Sequence, residues 1–182
     1  METKSIGIFV GSLRKGAYSK STANYIGQAL ARHYQVVFVE MGNLLLFNQD
    51  YDDEGTTPAQ WVAFRSQVGQ LDACLFVTPE YNRSMPAVLK NALDIGSRPY
   101  GCNLWDGKPA AVVGVSPGRI GGAMGVGALR VPLAFLNLRL MMQPEVYLSD
   151  AAELFNEQGE LTNASTAKFL DRFVDAFERW IG

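Results

Sequence analysis

Short apolar runs alternate along the chain with longer segments whose apolar residues recur every three or four positions. Runs with the length of buried strands lie at 5–10, 35–40, 73–78, 108–116 and 140–147. The helical spacing between and after them predicts amphipathic helices. These helices are expected at 19–32, 58–71, 86–97, 122–137 and 162–180. Residues 41–57 form a long segment without a regular apolar pattern.

This alternation predicts an α/β protein: a doubly wound, five-stranded parallel sheet whose strands are joined by right-handed crossovers. The strand order expected for five such units is 2-1-3-4-5. Ligands of such sheets bind beyond the carboxyl ends of the strands where the order reverses, here at strands 1 and 3. With 182 residues, the chain is expected to form a single domain over 1–182.

Composition limits the partners that the chain can have. The charged fraction is 19%, the net charge is −2 and no basic run is sustained, so no nucleic-acid partner is expected. No apolar stretch approaches the roughly 20 residues of a membrane span, and the first residues do not resemble a secretory signal. We therefore expect a soluble, cytoplasmic protein without a membrane partner.

A single histidine and two cysteines without metal-ligand spacing predict no metal site.

The loop after the first predicted strand, 11–21, combines serine hydroxyls with cations and leads into a helix. Free N–H groups at a helix N-terminus favour a phosphate, and Arg14 can add a charge-assisted contact. Gly11 and Gly16 have the Walker A spacing, but Ala17-Tyr18 follows in place of Lys-Ser or Lys-Thr. No G-x-G-x-x-G occurs here either. The residues of this loop favour the binding of a mononucleotide phosphate. The alternative is a turn that only caps the helix and binds no ligand.

Two later loops have unusual chemistry at the same predicted edge. Pro79 ends the third strand and is followed by Glu80, Tyr81 and Asn82, whose backbone and amide groups match the edge of an isoalloxazine ring. Tyr81 can lie against such a ring. The loop at 116–122 contains three glycines, which permit close backbone approach. The alternative for both loops is an ordinary connection between a strand and a helix.

Taken together, these motifs resemble the NADPH-dependent FMN reductase family. They are Gly-Ser-Leu-Arg-Lys-Gly at 11–16, Thr-Pro-Glu-Tyr-Asn-x-Ser-x-Pro at 78–86, Leu-Lys-Asn-Ala-x-Asp at 89–94 and Gly-Gly-Ala at 121–123. The resemblance spans most of the chain. It implies a flavodoxin-like fold and an NAD(P)H oxidoreductase with bound FMN that reduces quinones or similar small acceptors, with flavin, chromate and azo compounds among the candidates.

The resemblance also implies which residues hold FMN. The phosphate contacts carried over are Ser12, Arg14 and Ser19. The ring and ribityl contacts are Pro79, Glu80, Tyr81 and Asn82, with Ser116 and Gly118 at the far side of the ring. The family usually continues the first loop as Ser-x-Asn, whereas this chain has Ala17-Tyr18-Ser19. No catalytic acid or base is nominated, because flavin N5 carries the hydride.

A homodimer or a dimer of dimers is implied as well, built from the helices at 85–97 and 122–137. Apolar stripes on these helices predict the interface, and burial against the sheet is the alternative for them. The stripe residues are Leu89, Leu93, Val126, Leu129, Leu133 and Leu136.

Three functions are compatible with the sequence. The leading one is the flavin-dependent oxidoreductase, with NADPH or NADH and the acceptor using one site in turn by ping-pong kinetics. The others are a flavodoxin-type electron carrier and an α/β module whose loops bind no ligand. The net charge of −2 and the Arg14-Lys15 pair argue against a carrier that steers basic partners. Arg119 or Lys15 can contact a 2′-phosphate, but cations are common in loops. The sequence therefore leaves the choice between NADH and NADPH open.

Overall fold

A parallel sheet forms the centre of the computed structural model, which describes residues 3–182. The strands are β1 (Ser5–Val10), β2 (Gln35–Phe38), β3 (Ala73–Thr78), β4 (Pro109–Val115), β5 (Arg139–Leu140) and β6 (Val146–Leu148). The order is β2-β1-β3-β4-β5, with β6 also paired to β4, and every pair is parallel. The predicted order 2-1-3-4-5 and the flavodoxin-like doubly wound fold are confirmed.

The fifth position of the sheet is divided between two short strands. We predicted one strand at 140–147 that Pro144 could shorten, whereas β5 pairs with the start of β4 and β6 with its end. Pro144 lies between them. Because proline has no N–H to donate to a ladder, the chain leaves the sheet there and rejoins it at Val146.

Helices cover both faces of the sheet. They are α1 (Tyr18–Leu30), α2 (Asp50–Asp53), α3 (Ala59–Gly69), α4 (Ala87–Gly96), α5 (Ala123–Phe135) and α6 (Ala164–Ile181), with a short 3₁₀ turn at Ala151–Glu153. α1 and α6 pack on one face, and α3, α4 and α5 pack on the other. The one-turn helix α2 lies in the segment that we predicted to be irregular.

β3 shows why two cores form. All six of its residues are buried, and alternate side chains enter opposite cores. Cys74 and Phe76 join the core under α3, α4 and α5, whereas Leu75 and Val77 join the core under α1 and α6. Burial raises the pKa of the Cys74 thiol to about 12, so this cysteine is an apolar core residue and not a nucleophile.

The apolar stripes on α4 and α5 belong to the core. Leu89, Leu93, Val126, Leu129, Leu133 and Leu136 are all buried within one chain. Our prediction that these side chains form an intersubunit surface is therefore wrong, because the sheet itself takes up the apolar face of each helix. α5 has a second apolar face, however, on which Met124, Val131 and Phe135 are exposed.

None of the helices within residues 3–182 combines the length and the hydropathy that crossing a bilayer requires. No three His, Cys, Asp or Glu side chains in that range cluster so that they could hold a metal ion.

The ion pair of Asp52 and Arg65 connects α2 to α3. The two terminal guanidinium nitrogens of Arg65, Nη1 and Nη2, donate to the two carboxylate oxygens of Asp52 at 2.7 and 2.6 Å. Thr57 donates a further hydrogen bond at 2.9 Å. The hydrogen bond from Arg65 is the main reason that the pKa of Asp52 lies below its usual value. The side chains of Arg65 and Asp52 are only 12% and 6% exposed, so removing one charge would leave the other buried without its partner.

We expect Asp52→Asn to lower the free energy of unfolding at pH 7 by about 2 kcal/mol, because it leaves Arg65 without its counter-charge. The folded-state pKa is depressed, so this contribution is present above the ordinary Asp pKa of 3.8 and is lost as the pH falls through the folded-state pKa. Urea unfolding at several pH values measures the difference. Asp50→Asn, at an exposed site on the same helix, is the control. A deficit equally large at pH 7 and at pH 2 would contradict this account.

Candidate functional site

A cavity of about 390 Å³ opens at the carboxyl ends of β1, β3 and β4. It lies at the reversal of strand order, where the topology predicts a ligand. Its wall comes from the loops after these three strands and from the first turn of α1. The lining residues are Ser12, Arg14, Ala17, Tyr18, Ser19, Pro79, Glu80, Tyr81, Val115, Ser116 and Pro117.

The loop after β1 and the first turn of α1 form one side of this cavity. The backbone N–H of Gly11 donates to the carbonyl of Val77 at 2.8 Å, which holds the start of the loop beside β3. No side chain caps the helix at Ala17. Ser19 is only 2% exposed, and its hydroxyl has no hydrogen-bond partner within residues 3–182.

An unpaired buried hydroxyl costs about 1–3 kcal/mol, and a ligand that accepts its hydrogen bond removes this cost. At a helix N-terminus the ligand that fits is an anion such as phosphate. The residues present therefore fit the phosphate end of a mononucleotide such as FMN.

The loop after β3 is a tight two-residue turn. Tyr81 and Ser84 exchange backbone hydrogen bonds of 3.0 and 2.9 Å. Between them, Asn82 and Arg83 have left-handed backbones with φ of 50° and 64°. Two such residues are the signature of a type I′ turn, and asparagine tolerates this conformation better than most residues. The turn places Tyr81 in the wall of the cavity and leaves Asn82 exposed.

Side chains of this loop connect it to its neighbours. The Tyr81 hydroxyl donates to Oγ of Ser12 at 3.0 Å and so joins the loops after β3 and β1. Glu80 accepts a hydrogen bond from Arg83 at 2.8 Å and another from the backbone N–H of Met124 at 3.0 Å. The second bond places a carboxylate at the N-terminus of α5, where the helix dipole favours negative charge. Glu80 thus positions the loop against α5.

Glycines let the loop after β4 and the start of α5 approach this turn. Gly121 and Gly122 have φ of 63° and 82°, which L side chains rarely adopt. A Cβ added to Gly125 would lie 2.8 Å from the carbonyl oxygen of Pro79. Ser116 begins the loop, and its Oγ accepts from the N–H of Gly118 at 3.1 Å.

Most of the predicted contact residues meet at this cavity. Those that line it are Ser12, Arg14, Ser19, Pro79, Glu80, Tyr81 and Ser116. Asn82 and Gly118 do not line it, and the contacts of all nine predicted residues with a cofactor stay predictions. The predicted contacts did not include Ala17, Tyr18, Val115 and Pro117, which also form the wall. Each of them lies within two residues of Ser19 or Ser116 in the sequence. This proximity to a predicted contact was the available signal.

The strand order and the cavity at its reversal define a flavodoxin-like α/β protein with a ligand cleft at the carboxyl edge of the sheet. Comparison with known proteins specifies the family. Residues 5–153 match the model of NADPH-dependent FMN reductase, and the chain belongs to that family.

Similar proteins match along nearly their whole lengths. A quinone reductase of Pseudomonas putida is 48% identical over 177 residues, which are 97% of this chain and 94% of that protein. A 2-hydroxy-1,4-benzoquinone reductase of a Burkholderia species is 41% identical over 176 residues, 97% of this chain and 95% of the relative. Among solved structures, the flavoenzyme NAD(P)H:(acceptor) oxidoreductase FerB of Paracoccus denitrificans has a TM-score of 0.91 at 38% identity, covering 98% of this chain and 97% of that one.

Ser19→Ala is expected to change stability and FMN affinity in opposite directions. Without FMN, the variant should be as stable as the wild type or more stable by about 1 kcal/mol, because a buried hydroxyl without a partner is removed. Its affinity for FMN should fall roughly tenfold, because one donor to the phosphate is lost. Thermal unfolding of the FMN-free protein and quenching of FMN fluorescence measure the two effects.

The matched control is Ser21→Ala, two residues further along α1 and outside the cavity wall. It should leave FMN affinity unchanged. Equal FMN affinities for Ser19→Ala and the wild type would show that Ser19 does not contact the cofactor.

Proposed function

We propose that this protein is an FMN-dependent NAD(P)H oxidoreductase that passes two electrons to quinones or similar small acceptors. The observation that carries the proposal is the convergence of three loops on one cavity, with the unpaired hydroxyl of Ser19 at the N-terminus of α1. Its similarity to a quinone reductase and to a 2-hydroxy-1,4-benzoquinone reductase supports the acceptor class.

The first loop would hold the FMN phosphate, and the later loops would hold the ring and the ribityl chain. In this proposal the phosphate contacts are Ser12, Arg14 and Ser19. The remaining contacts are Pro79, Glu80, Tyr81, Asn82, Ser116 and Gly118. When bound, FMN supplies at N5 the atom that accepts a hydride from NADPH or NADH and passes electrons on.

The protein's own side chains orient and bind, and none of them is assigned a proton transfer. Glu80 is engaged by Arg83 and by the N–H of Met124, which suits a positioning role. Tyr81 is held by Ser12 at the cavity wall. Because the nicotinamide and the acceptor must both reach the same ring, the two substrates should bind in turn.

The exposed face of α5 supports a homodimer, alone or as half of a dimer of dimers. Met124, Val131 and Phe135 are 51%, 71% and 86% exposed, and they recur at helical spacing on one side. An apolar surface of this kind marks an interface, and a second copy of the chain is the occupant that we propose. Since the backbone of Met124 also binds Glu80, the paired helices would adjoin the cofactor cavity.

A single domain over 1–182 and a cytoplasmic location remain part of the proposal. Elements from β1 to α6 contribute to the two cores of one sheet, which supports a single domain. Cys74 and Cys102 are both free thiols, as a reducing compartment would leave them.

The purified protein should carry FMN and oxidise NADPH or NADH with added benzoquinones. Double-reciprocal plots at several fixed quinone concentrations should give parallel lines, as ping-pong exchange at a shared site requires. Rapid mixing of the protein with NADPH alone should bleach the flavin absorbance without a partner reductase, which a flavodoxin-type carrier would not do. A folded protein that gains no flavin spectrum on FMN addition and oxidises neither nicotinamide would overturn the proposal.

Val131→Asp should convert the dimer to a 20.0 kDa monomer, because it places a charge in the proposed apolar interface. Val62→Asp, an equal change at a helical valine that is 55% exposed on α3, is the control and should stay dimeric. Light scattering at micromolar concentration distinguishes the two states. A monomeric wild type, or a dimeric Val131→Asp, would contradict this interface.

A further inference from the structure

Glu80 is the one carboxylate among the residues that line the cofactor cavity, all of which lie within residues 3–182. Its side chain is only 9% exposed. The one cation in the same lining is Arg14, which belongs to the loop after β1 and is a proposed phosphate contact. The part of the cavity beside residues 79–81, where the flavin ring is proposed to lie, therefore has a negative charge in its wall.

Arg83 compensates this charge. Its Nη1 atom donates to Oε1 of Glu80 at 2.8 Å, while Oε2 accepts from the N–H of Met124 at 3.0 Å. Within residues 3–182, no other cation forms an ion pair with Glu80. Arg83 itself is 66% exposed and does not line the cavity, so water screens its direct effect on a bound ring. Its influence on the cavity passes through Glu80.

The backbone of the turn gives no reason for an arginine at position 83. Arg83 has a φ of 64°, and the second central residue of a type I′ turn is most often glycine. Asparagine, as at position 82, tolerates this conformation, whereas a long side chain such as that of Arg83 adopts it at a cost in free energy. The ion pair with Glu80 is the contact that this arginine contributes to the site.

The charge of Glu80 matters because hydride transfer changes the charge of a flavin ring. A hydride brings two electrons and one proton, so a neutral ring gains one negative charge unless a further proton follows. A carboxylate without a counter-charge in the wall of the cavity would disfavour this reduced form by electrostatic repulsion. A carboxylate paired with a cation repels it much less.

We propose that Arg83 raises the reduction potential of the bound flavin by neutralising Glu80. Arg83 is then a positioning residue that acts through Glu80 and not a catalytic residue. The inference rests on the proposed function, because it requires FMN in the cofactor cavity with its ring beside residues 79–81. Position 83 is the unspecified one in the motif Thr-Pro-Glu-Tyr-Asn-x-Ser. A side chain there can therefore adjust the potential without replacing any residue that would hold the ring.

The test measures the dissociation constants of oxidised and of reduced FMN, without oxygen, for the wild type and for Arg83→Gln. Oxidised FMN should bind the variant nearly as it binds the wild type. Reduced FMN should bind roughly tenfold more weakly, because the Glu80 charge is no longer neutralised. A tenfold change in the ratio of the two constants lowers the potential of a two-electron couple by about 30 mV. Arg83→Lys, which keeps the charge, should keep most of the wild-type potential.

Two further variants show whether the effect passes through Glu80. In a Glu80→Gln background, whose amide oxygen can still accept from the N–H of Met124, Arg83→Gln should change the potential little. Arg32→Gln is the matched control, because it removes the same charge from an exposed position just beyond the other end of α1, away from the cavity. It should leave the potential unchanged.

Three results would overturn the inference while FMN binding stands. They are equal potentials for Arg83→Gln and Arg32→Gln, an undiminished effect in the Glu80→Gln background, and equal weakening of oxidised and reduced FMN, which a role in folding the turn alone would give. If the potential shifts as expected in a protein that oxidises neither NADPH nor NADH, the inference is supported and only the proposed function fails. A protein that binds no FMN would contradict both.

Discussion

The hydrogen bond from the Met124 backbone to the Glu80 carboxylate joins the parts of this protein that the proposed function requires to act together. It fixes the loop after β3 against the first turn of α5, and the absence of a side chain on Gly125 permits that contact. Tyr81, one residue further on, then reaches Ser12 and connects the same loop to the loop after β1. The shape of the cofactor cavity and the position of the exposed face of α5 both follow from this connection.

The loop after β1 divides the carboxyl edge of the sheet into two adjoining cavities of different chemistry. On one side, Ser19 and the uncapped start of α1 suit a phosphate beside the loops that would hold a flavin ring. On the other, Phe38, Lys15 and Lys20 line a second cavity that uses a different set of side chains.

Sequence patterns predicted the strand order and the three loops because both depend on local signals: apolar periodicity, prolines and glycines. Pro144 indicated that the fifth strand could be shortened, but no local pattern shows that the chain rejoins the sheet at Val146. The leucines of α4 and α5 were misassigned because a stripe such as Leu129 and Leu133 has the same pattern whether it faces a sheet or another subunit. The contact of Tyr81 with Ser12 joins residues 69 positions apart, and no local pattern contains it.

The central claim is that FMN binds where the loops after β1, β3 and β4 converge. A crystal structure of the protein grown with FMN tests it most directly. The account predicts electron density for the phosphate within hydrogen-bond distance of the Ser19 hydroxyl and the first turn of α1, with the ring beside residues 79–81. Density for FMN at any other surface, or a cavity closed by side chains in crystals that contain excess FMN, would contradict it.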